Sequence, residues 1–286
     1  MKITDIIKRG KPTLSFEVFP PKTDSALEGV RAAAAEIAGL SPAYMSVTYG
    51  AGGSTAGYTA EIASSLLALG TTPLAHLTCI GASRESIREK LTDLKARGVE
   101  NVLALRGDLP EGVDGDALSF RHASDLAEEI YSFGGFCIGG ACYPEKHPES
   151  ADSDRDVEAL AVKVASGCSF LTTQMFFDNS ILYNFLYRLL RRGIDVPVVA
   201  GIMPVTNAAQ IKRICSISGA ALPARFLRIV ERYGDNPAAM KQAGIAFATE
   251  QIVDLYANGV SAVHVYSMNK PDVAAAIYAN LSEILA

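Results

Sequence analysis

Apolar positions along this chain follow two rhythms. Short, almost continuously apolar runs occupy residues 14–19, 44–49, 73–78, 101–105, 136–142, 170–176, 197–202 and 262–266. Between them lie longer stretches, including 25–39, 55–69, 84–97, 122–133, 154–165 and 180–191, whose apolar positions recur at helical spacing. Glycines such as Gly39, Gly70, Gly98 and Gly134 close several of these stretches. Eight strand-like runs alternating with amphipathic segments predict an α/β fold, a (β/α)8 TIM barrel. The other arrangement still open is a doubly wound open sheet, which usually has fewer strands. Residues 206–259 exceed one ordinary helix and predict extra helices between the seventh and eighth strands. No linker or shift of composition divides the chain, so residues 1–286 are expected to form one domain. Residues 1–9 read as a short amphipathic helix, without the apolar core of a signal peptide.

Composition narrows the class of partner. The chain is 49% hydrophobic and 20% charged, with a net charge of −5. An acidic chain of this kind argues against a nucleic-acid or anionic-membrane surface. No apolar run approaches the ~20 residues of a membrane span. Five cysteines (Cys79, Cys137, Cys142, Cys168 and Cys215) form no C-x-x-C pair, and four lie in or beside apolar runs. They read as core residues of a reducing compartment, which predicts a cytoplasmic protein.

A barrel keeps its chemistry just after the carboxyl ends of its strands. Glu17 lies within the first run and is followed by Pro20-Pro21-Lys22, where the prolines end the ladder. A carboxylate there is either catalytic or half of a structural ion pair. The second run leads into Thr48-Tyr49-Gly50-Ala51-Gly52-Gly53, which lacks the third glycine of a dinucleotide fingerprint and reads as a tight turn or a close approach to a planar ligand. Later ends supply His76, Arg106-Gly107-Asp108, Tyr143-Pro144-Glu145-Lys146-His147 and Gln174. Taken singly, His76 and His147 read as structural histidines, Arg106 and Asp108 as a local ion pair, and Lys163 as a solvated helix residue. Asp152, Asp154 and Asp156 alternate, but Val157 stands where a calcium loop needs glycine, so they predict an acidic helix N-terminus. Zinc-ligand spacing and a G-x-S-x-G nucleophile motif are both missing, and no metal is expected.

The segments at 16–22, 47–51, 76–79, 105–108, 143–149 and 174–178, in this order and spacing, resemble the motif series of the bacterial-type methylenetetrahydrofolate reductase family in its catalytic domain. The resemblance implies an FAD-bound barrel that reduces 5,10-methylenetetrahydrofolate with electrons from NADH or NADPH, serving methionine biosynthesis, and a homo-oligomer. Carried over, Glu17 takes the place of the general acid. Thr48, Tyr49, Ala51, His76, Arg106, Gly107, Asp108, Ala123, Tyr143, His147, Asp156 and Lys163 fall on flavin positions. Gln174, Gln210 and Lys270 fall on folate positions. Asp108 is expected at the pyrimidine edge of the flavin, where a carboxylate disfavours anionic reduced flavin. Burial is expected to raise the pKa of Glu17 towards working pH. Ala159 and Val162 replace polar or basic residues on the diphosphate side, Lys270 replaces an arginine, and Ile214 and His122 replace aromatics. Two other readings compete: a flavin-free barrel lyase or aldolase with Glu17 as base, and a barrel subunit of a larger electron-transfer complex.

Overall fold

In the computed structural model, residues 1–7, 10–21, 23–49, 56–109 and 118–286 are described. Eight parallel strands close a barrel in sequential order: β1 (Thr13–Val18), β2 (Met45–Val47), β3 (Pro73–Thr78), β4 (Asn101–Leu105), β5 (Cys137–Cys142), β6 (Phe170–Thr173), β7 (Val198–Ile202) and β8 (Ala262–Val265). Helices α2 (Leu27–Ala38), α3 (Ala56–Ala68), α4 (Arg84–Ala96), α5 (Ala123–Phe133), α6 (Ser153–Ala165) and α7 (Asn179–Arg191) follow the first six strands, after a short α1 (Ile3–Ile7). Between β7 and β8 lie α8 (Ala208–Ser218), α9 (Ala224–Tyr233) and α10 (Pro237–Ala257), the extra helices expected there, and α11 (Pro271–Leu285) ends the chain. The acidic run falls where expected: Asp152 caps α6, its side chain accepting from the backbone N–H of Arg155 at 2.8 Å.

Two apolar layers hold the barrel. The outward faces of the strands pack on the helices, through residues such as Phe16, Val47, Ala75, Val102 and Val263. A separate cluster of inward-facing residues, among them Tyr44, Leu74, Leu103, Phe170 and Val199, fills the bottom of the barrel. Ile3, Ile6 and Ile7 of α1 belong to that cluster, so the amphipathic start of the chain plugs the lower end. Asn101 holds the plug by accepting from the backbone N–H of Ile3 at 2.9 Å.

Two strand-like runs shorten in the structure. The run at 44–49 contributes only Met45–Val47 to the ladder, and that at 170–176 only Phe170–Thr173. In each case the chain leaves the sheet to bring polar residues, Thr48 and Tyr49 or Gln174, to the mouth of the barrel.

A third apolar cluster (Phe177, Val205, Ile211, Phe226, Met240) lies beneath the extra helices. Gly244 lets α10 meet the β7 loop: a Cβ there would sit 1.9 Å from the backbone oxygen of Val205. We predict that Gly244→Ala destabilises the protein by about 1–3 kcal/mol by forcing these elements apart. Urea unfolding at equilibrium checks this, and an unchanged midpoint would contradict the close approach.

Candidate functional site: a buried carboxylate in a two-part cleft

Strand register assembles the site. Glu17 of β1 is paired with Ser46 of β2, and Ser15 of β1 with His264 of β8. Ser15 and Glu17 are two residues apart and so share one face of their strand. Above the apolar floor, these four side chains form a polar layer in the barrel interior. Ser46 donates to Glu17 Oε2 at 3.1 Å, and its Oγ lies 2.9 Å from His264 Nε2. Ser15 Oγ lies 2.7 Å from His264 Nδ1 and donates to the carbonyl of Val263 at 3.0 Å. His76 Nε2 approaches Glu17 Oε2 at 3.6 Å and His264 Nε2 at 3.8 Å.

The balance of these contacts corrects one expectation. Burial by itself raises the Glu17 carboxyl, but His264, the charge of His76 and the Ser46 hydroxyl together outweigh it and hold the carboxyl below its ordinary value. The sequence shows the apolar strand but not the polar partners that face its one acid. Burial also dominates at His76, whose pKa falls to about 4 although Glu17 opposes the shift. Tyr44, which stacks on His264 with centroids 5.5 Å apart, and Tyr266, whose hydroxyl donates to the Thr173 carbonyl, both titrate above the ordinary tyrosine range because they are buried.

Glu17 opens onto a central cavity of about 400 Å³ that Thr48, Tyr49, His76 and Gln174 also line. The Gln174 side-chain oxygen accepts from the N–H of Met175 at 2.9 Å, leaving its amide N–H groups for a ligand. Thr172 Oγ1 lies buried on this wall without a hydrogen-bond partner, as does the hydroxyl of Tyr49. A lateral cavity of about 430 Å³ shares Ala141 and Tyr143 with the central one. It brings together Arg106, Ala123, His147, Asp156 and Lys163 of the expected set, with Ala159 and Val162 on its lining.

Charges in the lateral cavity are already partly committed. Arg106 makes two parallel 2.6 Å bonds to Glu149 across its lining, which raise the guanidinium pKa further. Lys163 spends one N–H on the Ala141 carbonyl at 2.6 Å, and burial lowers its pKa. Burial raises Asp156 and lowers His147. The N–H of Glu149 donates to His147 Nδ1 at 3.2 Å, so the proton of the neutral ring sits on Nε2.

The structure does not bring every expected residue into the cleft. Asp108 is exposed beyond Gly107 and lines neither cavity. Gly107 has φ +89°, and a Cβ there would come within 2.8 Å of Ile80, so glycine sets this turn. Lys270 donates to Thr206 Oγ1 at 2.8 Å at the start of α11, away from the lining of both cavities. Ala51 and the side chain of Gln210 lie outside the described residues. Ser15, Ser46, Thr172, Tyr266 and His264 are site residues that the sequence reading missed. A histidine inside an otherwise apolar strand was the available signal for His264.

A closed parallel barrel with an elongated cleft and a buried carboxylate at its mouth defines a barrel enzyme that takes a large ligand. The family model for methylenetetrahydrofolate reductase matches residues 2–282. This chain belongs to that family. It is 32% identical over 270 residues to 5,10-methylenetetrahydrofolate reductase of Escherichia coli K12, covering 94% of this chain and 90% of that protein. It is 35% identical to methylenetetrahydrofolate reductase (NADH) 1 of Arabidopsis thaliana, over 99% of this chain but only 50% of the plant protein. The chain thus spans about half the length of its plant relatives. In fold it is similar to a Clostridium thermocellum protein described as binding two copies of 5-methyl-5,6,7,8-tetrahydrofolic acid, with a TM-score of 0.65 and 15% identity over 99% of this chain and 98% of that one.

The low pKa of His76 links the site to stability. As pH falls from the unfolded value of 6.5 towards about 4, the unfolded chain takes up a proton that the folded one refuses. The folded state should therefore lose up to about 3 kcal/mol over this range. His76→Asn is predicted to flatten this limb of the stability–pH curve, measured by urea unfolding between pH 7 and pH 4. An equally steep limb in the variant would count against it.

Proposed function

We propose that this chain, as one FAD-binding barrel over residues 1–286, reduces 5,10-methylenetetrahydrofolate to 5-methyltetrahydrofolate with electrons from NADH or NADPH. The observation that carries the reading is Glu17 on the floor of the two-part cleft. Family membership and the names of the relatives support it, and the plant name carries NADH.

The residues fit the cofactor. The unpartnered Thr172 hydroxyl in the central cavity calls for a polar, flat ligand. In the lateral cavity, Lys163 has two N–H groups left for an anionic tail. Thr48, Tyr49 and His76 would hold the ring system, while Tyr143, His147, Asp156 and Lys163 would hold the tail. When bound, the flavin supplies the hydride carrier that no side chain can provide.

The side chains then position and protonate. Gln174 can donate to either of two ligands that use the central cavity in turn, nicotinamide and folate, which suits a ping-pong exchange. Glu17 holds a proton for the nitrogen that departs as the folate bridge opens to an electrophile. Asp108, an exposed carboxylate at the end of β4 near Tyr143 and Arg106, would weigh against negative charge on the bound ring. We place the protein in the cytoplasm, as a homo-oligomer. Among the described residues, no helix is long and apolar enough to cross a membrane.

Two substitutions test this reading. Glu17→Gln should slow folate reduction by roughly 10²–10⁴-fold while nicotinamide still reduces the flavin. Anaerobic stopped-flow absorbance separates the halves, and loss of both with normal FAD content would refute the role. Lys163→Ala should weaken FAD binding about tenfold or more by removing a charge-assisted donor. Fluorescence titration of the apoprotein checks it, and unchanged affinity would remove Lys163 from the cofactor site.

A further inference from the structure

Counting hydrogens along the polar layer fixes where its protons lie. Ser15 has one hydroxyl hydrogen, and the Val263 carbonyl at 3.0 Å can only accept it. His264 Nδ1, at 2.7 Å from the same oxygen, must therefore carry a hydrogen and donate. Ser46 also has one hydrogen and stands between His264 Nε2 at 2.9 Å and Glu17 Oε2 at 3.1 Å.

Two arrangements satisfy every partner. In one, protonated His264 donates from Nε2 to Ser46, and Ser46 donates to the Glu17 carboxylate. In the other, a protonated Glu17 donates to Ser46, and Ser46 donates to neutral His264. Both contain the same number of protons and interconvert by two short shifts through the Ser46 hydroxyl. Removing one proton leaves a single serine hydrogen for two acceptors, so one buried polar atom goes unmatched.

We infer that Glu17, Ser46 and His264 form a proton-holding unit in which His264 stores the proton that Glu17 delivers to folate. The inference rests on the proposed reductase reading and deepens it. His264 acts through Glu17 and is a positioning residue: what it positions is a proton. On delivery, the O–H bond of Glu17 breaks, an N–H bond forms on the departing folate nitrogen, and the Glu17 carboxylate draws the next proton through Ser46. His264 becomes neutral and is recharged from solvent.

The surroundings suit storage. His264 and Ser46 are almost wholly buried. The titratable groups that face the unit are His76, at 3.6 Å from Glu17, and Tyr44 and Tyr266, whose rings pack on His264. His76 and both tyrosines are neutral at pH 7, so the exchangeable charge of the layer belongs to Glu17 and His264.

The decisive measurement is nitrogen NMR of the FAD-loaded protein labelled with ¹⁵N-histidine, without folate or nicotinamide. The chain has only four histidines, so His264 can be assigned by substitution. At pH 7 both of its ring nitrogens should be protonated in the wild type, and in Glu17→Gln the ring should become neutral with its hydrogen on Nδ1. A neutral His264 in the wild type, or a spectrum indifferent to Glu17→Gln, overturns the inference. This result does not depend on turnover, so a protein that failed to reduce folate would sink the reductase reading and leave the NMR answer standing. In single turnovers Ser46→Ala should slow the folate half-reaction roughly tenfold or more relative to the nicotinamide half-reaction. It should also move the basic limb of the folate half-reaction to lower pH. A merely structural serine would lower the rate without moving that limb, and this outcome too would overturn the inference.

Discussion

The site depends on the cost of placing one carboxylate inside a barrel. An ionised Glu17 on an apolar wall would be unstable by several kcal/mol, so it persists only where donors meet it. Those donors come from neighbouring strands, and the register decides which. Glu17 faces Ser46, and Ser15 faces His264. A slip of one residue in β1 would turn Glu17 outward into the helix layer and place Phe16 or Val18 over the cavity. Barrel closure and active-site assembly are therefore one event: β1 has to join β8 on one side and β2 on the other before Glu17 is satisfied.

The interior is graded along its axis for the same reason. Below the polar layer, Tyr44, Leu74, Leu103 and Phe170 close around the three isoleucines of α1. Water is kept from the underside of His264, which strengthens each hydrogen bond above it. The N-terminal helix reads in the sequence as a minor amphipathic turn, yet it supports the dryness on which the site relies.

The frame of this protein was legible where local pattern and tertiary burial agree. Strands β3 and β4 fall at 73–78 and 101–105 as their apolar runs predict, because both faces of those strands are covered. The strand ends were legible too, since polar residues in apolar runs have few structural uses. His264 was not. Its partners Ser15 and Ser46 lie 249 and 218 residues away, and short-range spacing carries no trace of them. The direction of the Glu17 shift was hidden for the same reason: burial can be read from one strand, but the opposing donors come from three others.

Helix α6 shows how one local pattern shapes the ligand. Asp156, Ala159, Leu160 and Lys163 recur at helical spacing and all line the lateral cavity. The charged members are the more enclosed: Asp156 is buried and Lys163 half-buried, whereas Ala159 and Val162 are exposed. A single helix face therefore offers a charged inner wall and an apolar outer rim without a hydrogen-bonding side chain at those two positions. Across the cavity Arg106 is occupied by Glu149, so it adds no free fork at the rim. Directional hold on a long anionic ligand is concentrated at the inner end, next to the polar layer, and the outer end is left to apolar contact. The ligand is thereby fixed most firmly nearest to Glu17, where misplacement by about 1 Å would cost most in rate.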